Sequence, residues 1–216
     1  TASPWSSQKL GIESNPLDVA FTDNSHGFLV GSNRLVMETS DGGKTWEEKR
    51  DLLHVEVEGQ NLGEFPYALN EVVIHKRDTA SMVVVEVHRN NTFVNTYWAD
   101  GLLVSTPTGS TAYSLSAGGP IVLPGSDVVV VTPVAPHNLN DRPLVVPLDG
   151  EISLVAGGRD AQFLLSMDSR SFPLDPRQEV RIKPAGFKVQ LVNLEHQDFF
   201  STVRQKMHWG LDPRER

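Results

Sequence analysis

Hydrophobic and polar positions alternate in short runs along most of the chain. The runs are rich in Val, Ile, Leu and Phe, and Gly, Pro, Asn and Asp separate them, as in strands joined by turns. The pattern predicts strands at residues 17–21, 27–30, 72–75, 82–89, 128–132, 144–147, 151–155, 163–166, 180–183 and 188–192. Helical spacing occurs after Thr111 and over residues 199–207. We therefore expect a mainly β protein with few short helices.

Composition narrows the class of protein. The chain has 216 residues, 39% of them hydrophobic, which is enough for a globular core. Its formal net charge of -8 argues against a nucleic-acid partner, and the lack of cysteine excludes disulfides and thiolate metal sites. No apolar run approaches the ~20 residues that span a bilayer, so we expect no membrane partner.

A loop rich in small residues is the strongest candidate for a site. Residues 105–120 place Ser, Thr and Gly directly after the apolar residues 102–104, and Pro107 ends the strand ladder. Such a loop lets a ligand contact the backbone. The alternative is an ordinary turn that opens a short helix, with Thr108 or Ser110 as N-cap and with Tyr113 packed inward. The residues alone leave both interpretations open.

Asn70 and Glu71 stand just before the strand predicted at residues 72–75. An amide and a carboxylate at this place can bind hydroxyl or amino groups of a ligand. The alternative is a turn pair with solvated polar tips. This choice also stays open on the residues alone.

Several other chemistries are poorly supported. The seven histidines are scattered, with no i, i+4 pair, so we predict no protein-held metal. Gly109-Ser110-Thr111 lacks the glycine that a nucleophile elbow needs two residues after its serine. A Walker A loop needs a glycine five positions before Gly43, where Glu38 stands.

The first fifty residues carry a different motif. Residues 39–46, Thr-Ser-Asp-Gly-Gly-Lys-Thr-Trp, have the form of an Asp-box hairpin turn, in which Asp41 accepts backbone N–H groups and Trp46 folds underneath. Together with residues 16–34 they resemble a single blade of the Asp-box β-propellers that serve as photosystem II assembly factors. One blade cannot close a propeller.

The rest of the chain resembles another family. Residues 68–71 (Ala-Leu-Asn-Glu), 100–120, 132–137 (Thr-Pro-Val-Ala-Pro-His) and 199–210 resemble the C-terminal domain of NAD kinases, from about residue 52 to residue 216. The resemblance implies a β-sandwich-like domain in a cytoplasmic homo-oligomer, a dimer or a tetramer. It also implies 2′-phosphorylation of NAD to NADP with ATP or polyphosphate and Mg²⁺.

The resemblance implies a set of dinucleotide-binding residues. Thr108, Thr111, Ala112 and Tyr113 match the loop that cradles adenine, and Asp100 matches an aspartate that reaches the nicotinamide side from an adjoining subunit. The full implied set is Asn70, Glu71, Asp100, Thr108, Thr111, Ala112, Tyr113, Ala135 and Asp168. For Asp168 the alternative is a residue of a hairpin turn.

One family motif does not occur in the sequence. NAD kinases carry a Gly-Gly-Asp-Gly motif that supplies the base for the ribose hydroxyl, and this chain has none, so its catalytic residues are unknown. We expect a blade-like segment at residues 1–50, an NAD kinase domain at residues 51–216, and NAD or NADP binding rather than turnover. The alternatives are an engineered or recombined chimera without activity and a photosystem II assembly-factor-like module.

Overall fold

The computed structural model describes residues 16–21, 23–25, 27–31, 36–39, 42, 49–77, 81–158, 162–190 and 199–207. The chain forms two compact units, Arg50–Val189 and a second unit of Thr1–Lys49 with Gln190–Arg216. The division predicted at residue 50 stays a prediction. It differs from these units in where the last residues belong.

The unit that contains the N-terminus holds a three-stranded antiparallel sheet. Its strands β1 (Pro16–Phe21), β2 (Gly27–Gly31) and β3 (Val36–Thr39) pair in the order β1-β2-β3. Three strands are described where a propeller blade has four, and the described residues form no propeller. Asp41 and Trp46 of the predicted Asp-box turn lie outside the described residues.

Two six-stranded sheets build the larger unit. One has the order β5-β4-β15-β12-β7-β8 and the other the order β11-β10-β9-β6-β13-β14. The strands are β4 (Lys49–Val57), β5 (Tyr67–Ala68), β6 (Glu71–Lys76), β7 (Val83–Arg89), β8 (Thr92–Ala99), β9 (Gly101–Ser105), β10 (Val128–Val134), β11 (Leu144–Pro147), β12 (Ile152–Gly158), β13 (Phe163–Met167), β14 (Arg170–Leu174) and β15 (Glu179–Gln190).

The core lies between these two sheets because alternate side chains of each strand point to the same face. The register Val72↔Val104 and Ile74↔Leu102 brings apolar residues of β6 and β9 together on the inner face of the second sheet, where all four are fully buried. Val85 of β7 belongs to the same core cluster. The predicted mainly β, sandwich-like fold is confirmed.

The outer face of the second sheet, unlike its inner face, carries several polar side chains. Glu71 and His75 of β6 alternate with the core residues, and Ser105 pairs with Glu71 in the register. Thr132 of β10 pairs with Leu103, which puts its hydroxyl on the same face. Four polar side chains therefore stand on the side of this sheet away from the core, among the buried apolar residues Val73 and Leu103. We call these four, Glu71, His75, Ser105 and Thr132, the polar strip.

The chain covers this strip just after β9. It forms a 3₁₀ turn at Thr108–Thr111 and a single helical turn, α1 (Tyr113–Ser116). The Ser114 Oγ lies 3.2 Å from the Thr132 Oγ1, and this contact fixes α1 against the outer face. The second predicted helix is also present, as α2 (Phe199–Met207). No helix among the described residues is long and apolar enough to cross a membrane.

Two departures from the predicted strands have clear causes. The run at residues 180–183 and residues 188–190 of the next run belong to one continuous strand, β15, which lies between β4 and β12. The strand tolerates Pro184 because the ladder with β12 covers only residues 179–182. The strand β14 was not predicted, since its sequence contains Pro173. It tolerates this proline at the edge of its sheet.

Candidate functional site

The Asn70-Glu71 segment is held by a carboxylate from a distant part of the sequence. Asp168, in the turn between β13 and β14, accepts hydrogen bonds from the backbone N–H groups of Leu69 at 2.8 Å, Asn70 at 2.8 Å and Glu71 at 3.2 Å. Its own N–H donates to the Glu71 carbonyl at 3.1 Å. Asp168 thus lies in the hairpin turn that one interpretation expected, and from that turn it contacts the Asn70-Glu71 segment.

The opposite side of this segment rests on the small-residue loop. The Thr106 N–H donates to the Asn70 carbonyl at 2.9 Å, and its hydroxyl donates to the Leu69 carbonyl at 2.6 Å and accepts from the Gly109 N–H at 3.1 Å. A Cβ at Gly109 would lie 2.0 Å from the Asn70 carbonyl oxygen. Only glycine permits this approach.

The loop is not the ordinary helix start that the sequence left open. Neither Thr108 nor Ser110 caps a helix with its side chain; instead the Ser110 hydroxyl donates to the Pro107 carbonyl at 2.7 Å and accepts from the Val122 N–H at 3.0 Å. The buried residue of α1 is Ser114. Thr108, Thr111, Ala112 and Tyr113 are only half-buried, so they present a surface.

Glu71 is the most unusual group of the site. It is only 9% exposed, the Tyr113 backbone N–H donates to its carboxylate, and its Oε2 has no hydrogen-bond partner among the described residues. Burial and the negative charge of Asp168 raise the pKa of Glu71, and the bond from Tyr113 opposes this shift. The Ser105 hydroxyl, on the paired strand, is also buried without a partner there.

Buried polar atoms without partners are rare in folded proteins, and each needs an explanation. The Glu71 Oε2 fits a donor from a ligand, such as a hydroxyl or an amino group. No group of three metal-ligating side chains occurs within the described ranges.

Tyr113 is stacked on a histidine that follows Glu71 along the same strand face. The rings of His75 and Tyr113 lie 5.8 Å apart with an angle of 20° between their planes. Burial lowers the pKa of His75, which favours the neutral imidazole. Burial, followed by the charges of Asp100 and Glu71, raises the pKa of the Tyr113 phenol.

Asp100 and Ala135 lie at the other end of β6. The Asp100 Oδ1 is 2.6 Å from the Lys76 Nζ, and the Asp100 N–H donates to the Val134 carbonyl at 2.9 Å. Ala135 follows with a φ of +46°. Since the charge of Asp100 acts on Tyr113, the His75–Tyr113 stack connects this end of the strip to Glu71.

The structure thus gathers the predicted residues along one polar strip. It also adds four residues that the sequence did not single out as site residues: His75, Ser105, Thr106 and Arg170. Thr106 connects the small-residue loop to the Asn70-Glu71 segment. His75 had a signal, because it stands four positions after Glu71 in a predicted strand and so shares its face. The roles of Thr106 and Ser105 depend on pairing between distant segments and had no local signal.

The fold and this strip define a β-sandwich domain with a small-molecule site on the outer face of one sheet. The chain belongs to the NAD kinase family: the family model for the ATP-NAD kinase C-terminal domain matches residues 69–194. The NAD kinase of Cytophaga hutchinsonii is 41% identical over 209 residues, covering 95% of this chain and 71% of the relative.

Two solved kinase structures have a fold similar to that of this chain. Yeast NADH kinase complexed with NADH superposes with a TM-score of 0.71 at 26% identity over 78% of this chain. An NAD kinase from Archaeoglobus fulgidus in complex with ATP gives a TM-score of 0.62 at 27% identity over 73% of this chain. The chain spans 50% of the yeast protein and 60% of the archaeal one.

A second family model, for the photosynthesis system II assembly factor YCF48, matches residues 1–78, less than half of the chain. The match to the Cytophaga NAD kinase covers 95% of the chain and so also enters the first fifty residues. The two matches overlap in this region. The fusion with a propeller blade therefore stays a prediction.

Proposed function

We propose that this chain binds NAD or NADP on the outer face of its second sheet, as the dinucleotide-binding part of an NAD kinase. The observation that carries the proposal is the buried Glu71 carboxylate, whose Oε2 has no partner in the described part of the chain, next to the half-buried Tyr113. The yeast relative, solved with NADH, supports the same ligand class.

In this proposal, different residues contact different parts of the dinucleotide. Asn70 and Glu71 supply an amide and a carboxylate for ribose hydroxyls or the adenine amino group. The Tyr113 ring, stacked on His75, offers an aromatic surface for a base. Thr108, Thr111 and Ala112 border this surface. A hydroxyl that reaches the Glu71 Oε2 replaces the water lost on burial, so it is expected to bind more strongly than at an exposed carboxylate.

The nicotinamide half belongs at the other end of the strip. Asp100 and Ala135 border it in this proposal. In the family resemblance the aspartate acts on the site of an adjoining subunit, so we propose a homo-oligomer, a dimer or a tetramer. Sedimentation of the chain at micromolar concentration is expected to show such an assembly, and a monomer would contradict it.

Phosphoryl transfer needs more than this strip. A base for the 2′-hydroxyl and a site for ATP with Mg²⁺ are required, and the archaeal relative was solved with ATP. The family's Gly-Gly-Asp-Gly motif does not occur in the sequence. Loss of a general base alone lowers rates ~10²- to 10⁴-fold. The proposal for the residues present is therefore dinucleotide binding, and it assigns none of them the role of this base.

Titration of the chain with NADP, followed by calorimetry, tests the proposal. The Glu71→Gln variant keeps the shape of the side chain and removes its charge, and Glu64→Gln, at an exposed glutamate, is the matched control. A hydrogen bond to a buried charged acceptor contributes about 1.5–3 kcal/mol, so we expect roughly tenfold or greater weakening for Glu71→Gln alone. Equal affinities in both variants would contradict the proposal.

For residues 1–50 we propose the blade-like origin that the sequence indicates, joined by recombination. The YCF48 family match over residues 1–78 supports it. A natural NAD kinase gene with the same junction would contradict recombination. The Asp23 carboxylate accepts the Ser25 N–H at 2.7 Å in the turn between β1 and β2. Asp23→Ala is expected to leave NADP affinity unchanged.

A further inference from the structure

The turn between β13 and β14 contacts the segment before β6 through two side chains of opposite charge. Asp168 takes the backbone N–H groups of Leu69, Asn70 and Glu71 at 2.8, 2.8 and 3.2 Å. Three donors therefore converge on the two oxygens of one carboxylate. Most of the acceptor sites of the Asp168 carboxylate are therefore occupied by backbone N–H groups of the protein itself.

Arg170 holds the preceding residues from the same turn. Its guanidinium donates to the backbone carbonyls of Phe65 and Tyr67 and lies 5.7 Å from the centre of the Phe65 ring. The acidic side chain thus binds the donors of the segment, and the basic side chain binds its acceptors. The two side chains hold five backbone groups of residues 65–71 from about a hundred residues later in the chain, and the Asp168 N–H holds a sixth, the Glu71 carbonyl.

We propose that this turn is the positioning device of the dinucleotide site: Asp168 and Arg170 hold the backbone that presents Asn70 and Glu71, and neither of their side chains contacts the ligand. The inference rests on the proposed function. It assigns Asp168 a different role from the ligand contact that the family resemblance implies. Without the carboxylate, three part-buried N–H groups lose their acceptor, and the segment must be reordered whenever a ligand binds.

The φ of Asp168 is +50°, and this value decides which substitutions are informative. Asparagine and glycine adopt this conformation readily, whereas alanine adds backbone strain. Asp168→Asn keeps one acceptor oxygen, and Asp168→Gly keeps none. Asp149→Asn is the control, since Asp149 is an exposed aspartate that pairs with Arg89 and makes none of the contacts to residues 69–71.

The first readout is NADP affinity by calorimetry on the full chain. Because only a fraction of the free molecules would keep the binding geometry, we expect roughly tenfold weaker binding for Asp168→Asn and a larger loss for Asp168→Gly. Asp149→Asn is expected to stay within about twofold of the unsubstituted chain. The difference in NADP affinity between Asp168→Asn and Asp168→Gly measures the contribution of the acceptor oxygen that asparagine keeps. Equal affinity in all four proteins would overturn the inference.

The second readout needs no ligand and so separates this inference from the proposed function. Amide hydrogen exchange in the free chain is expected to accelerate about tenfold or more at Leu69, Asn70 and Glu71 in both Asp168 variants, and to stay unchanged in β9. Unchanged exchange at these three amides would overturn the positioning role. If exchange accelerates but the unsubstituted chain does not bind NADP, the positioning of this segment stands and the proposed function falls.

The third readout is the pH dependence of binding. Asp168 in the turn, Tyr113 in α1 and His75 in β6 are the titratable groups around Glu71, and β9 contributes none. Removing the Asp168 charge is expected to move the acid limb of NADP affinity to lower pH. An acid limb that stays in place in Asp168→Asn would show that the Asp168 carboxylate does not act on Glu71, and would overturn the placement of the two side chains on which the inference rests. A complex in which the Asp168 carboxylate contacts NADP directly would also overturn the inference.

Discussion

Gly109 is the position where one added methyl group tests the geometry of the site most sharply. A Cβ at this residue would lie 2.0 Å from the carbonyl oxygen and 2.7 Å from the Cα of Asn70. These are backbone atoms, so no side chain can rotate away. Either the small-residue loop or the Asn70-Glu71 segment must move by about 1.4 Å, since ordinary contacts of this kind begin at about 3.4 Å.

The expected cost of Gly109→Ala follows from this displacement. Overpacking in a tight interior costs about 1–3 kcal/mol, and 1 kcal/mol lowers the melting temperature by roughly 2–4 °C for a chain of this size. We therefore expect a fall of about 2–12 °C in differential scanning calorimetry. NADP affinity is expected to fall together with stability, because the shift displaces Asn70 and the loop that borders Tyr113.

Gly186→Ala is the matched control, because a Cβ there meets nothing within 4 Å. It is expected to leave both the melting temperature and the affinity unchanged. A Gly109→Ala variant with the stability and NADP affinity of the control would refute the close packing of these two loops. A variant that is destabilised but binds NADP normally would separate the packing from the site.

Three further predictions concern single side chains. Tyr113→Phe is expected to keep NADP affinity and Tyr113→Ala to lose roughly tenfold, measured by calorimetry, because the ring face rather than the hydroxyl supports the base. Because the pKa of Glu71 is raised in the folded chain, its contribution to the free energy of unfolding is full below pH 4.5 and is lost as the pH rises. The difference in free energy of unfolding between Glu71→Gln and the unsubstituted chain, measured by urea denaturation, should therefore grow in favour of the variant from about pH 4 to about pH 7. The lowered pKa of His75 has the opposite sign: stability falls as pH drops below 6.5, and His75→Phe should flatten this fall in the same assay.

Much of the fold could be predicted because each strand carries its own alternation of side chains. Val72 and Ile74 face the core, and Glu71 and His75 face away, as a period of two requires. The errors came where local signals mislead. The separate runs at residues 180–183 and 188–192 predict two strands, whereas one strand, β15, continues through Pro184, beyond the ladder with β12 that ends at residue 182.

The site could be predicted only in part, for a related reason. Asn70, Glu71 and Tyr113 stand in short motifs that the eye can find, whereas their contacts come from other parts of the chain. The sequence cannot show that Asp168 spends its carboxylate on backbone N–H groups 97 to 99 residues away. Nor can it show that Tyr113 stacks on His75, since this contact depends on how α1 crosses the outer face of the sheet.

The most direct test of the account is calorimetric titration of the purified chain with NADP and then NAD. The titrations are repeated on the Asn70→Ala, Tyr113→Ala double variant, whose folding is checked by circular dichroism. The account predicts saturable binding that is lost in the variant. A folded chain that gives no heat with either dinucleotide, or a double variant that binds as well as the unsubstituted chain, would contradict it.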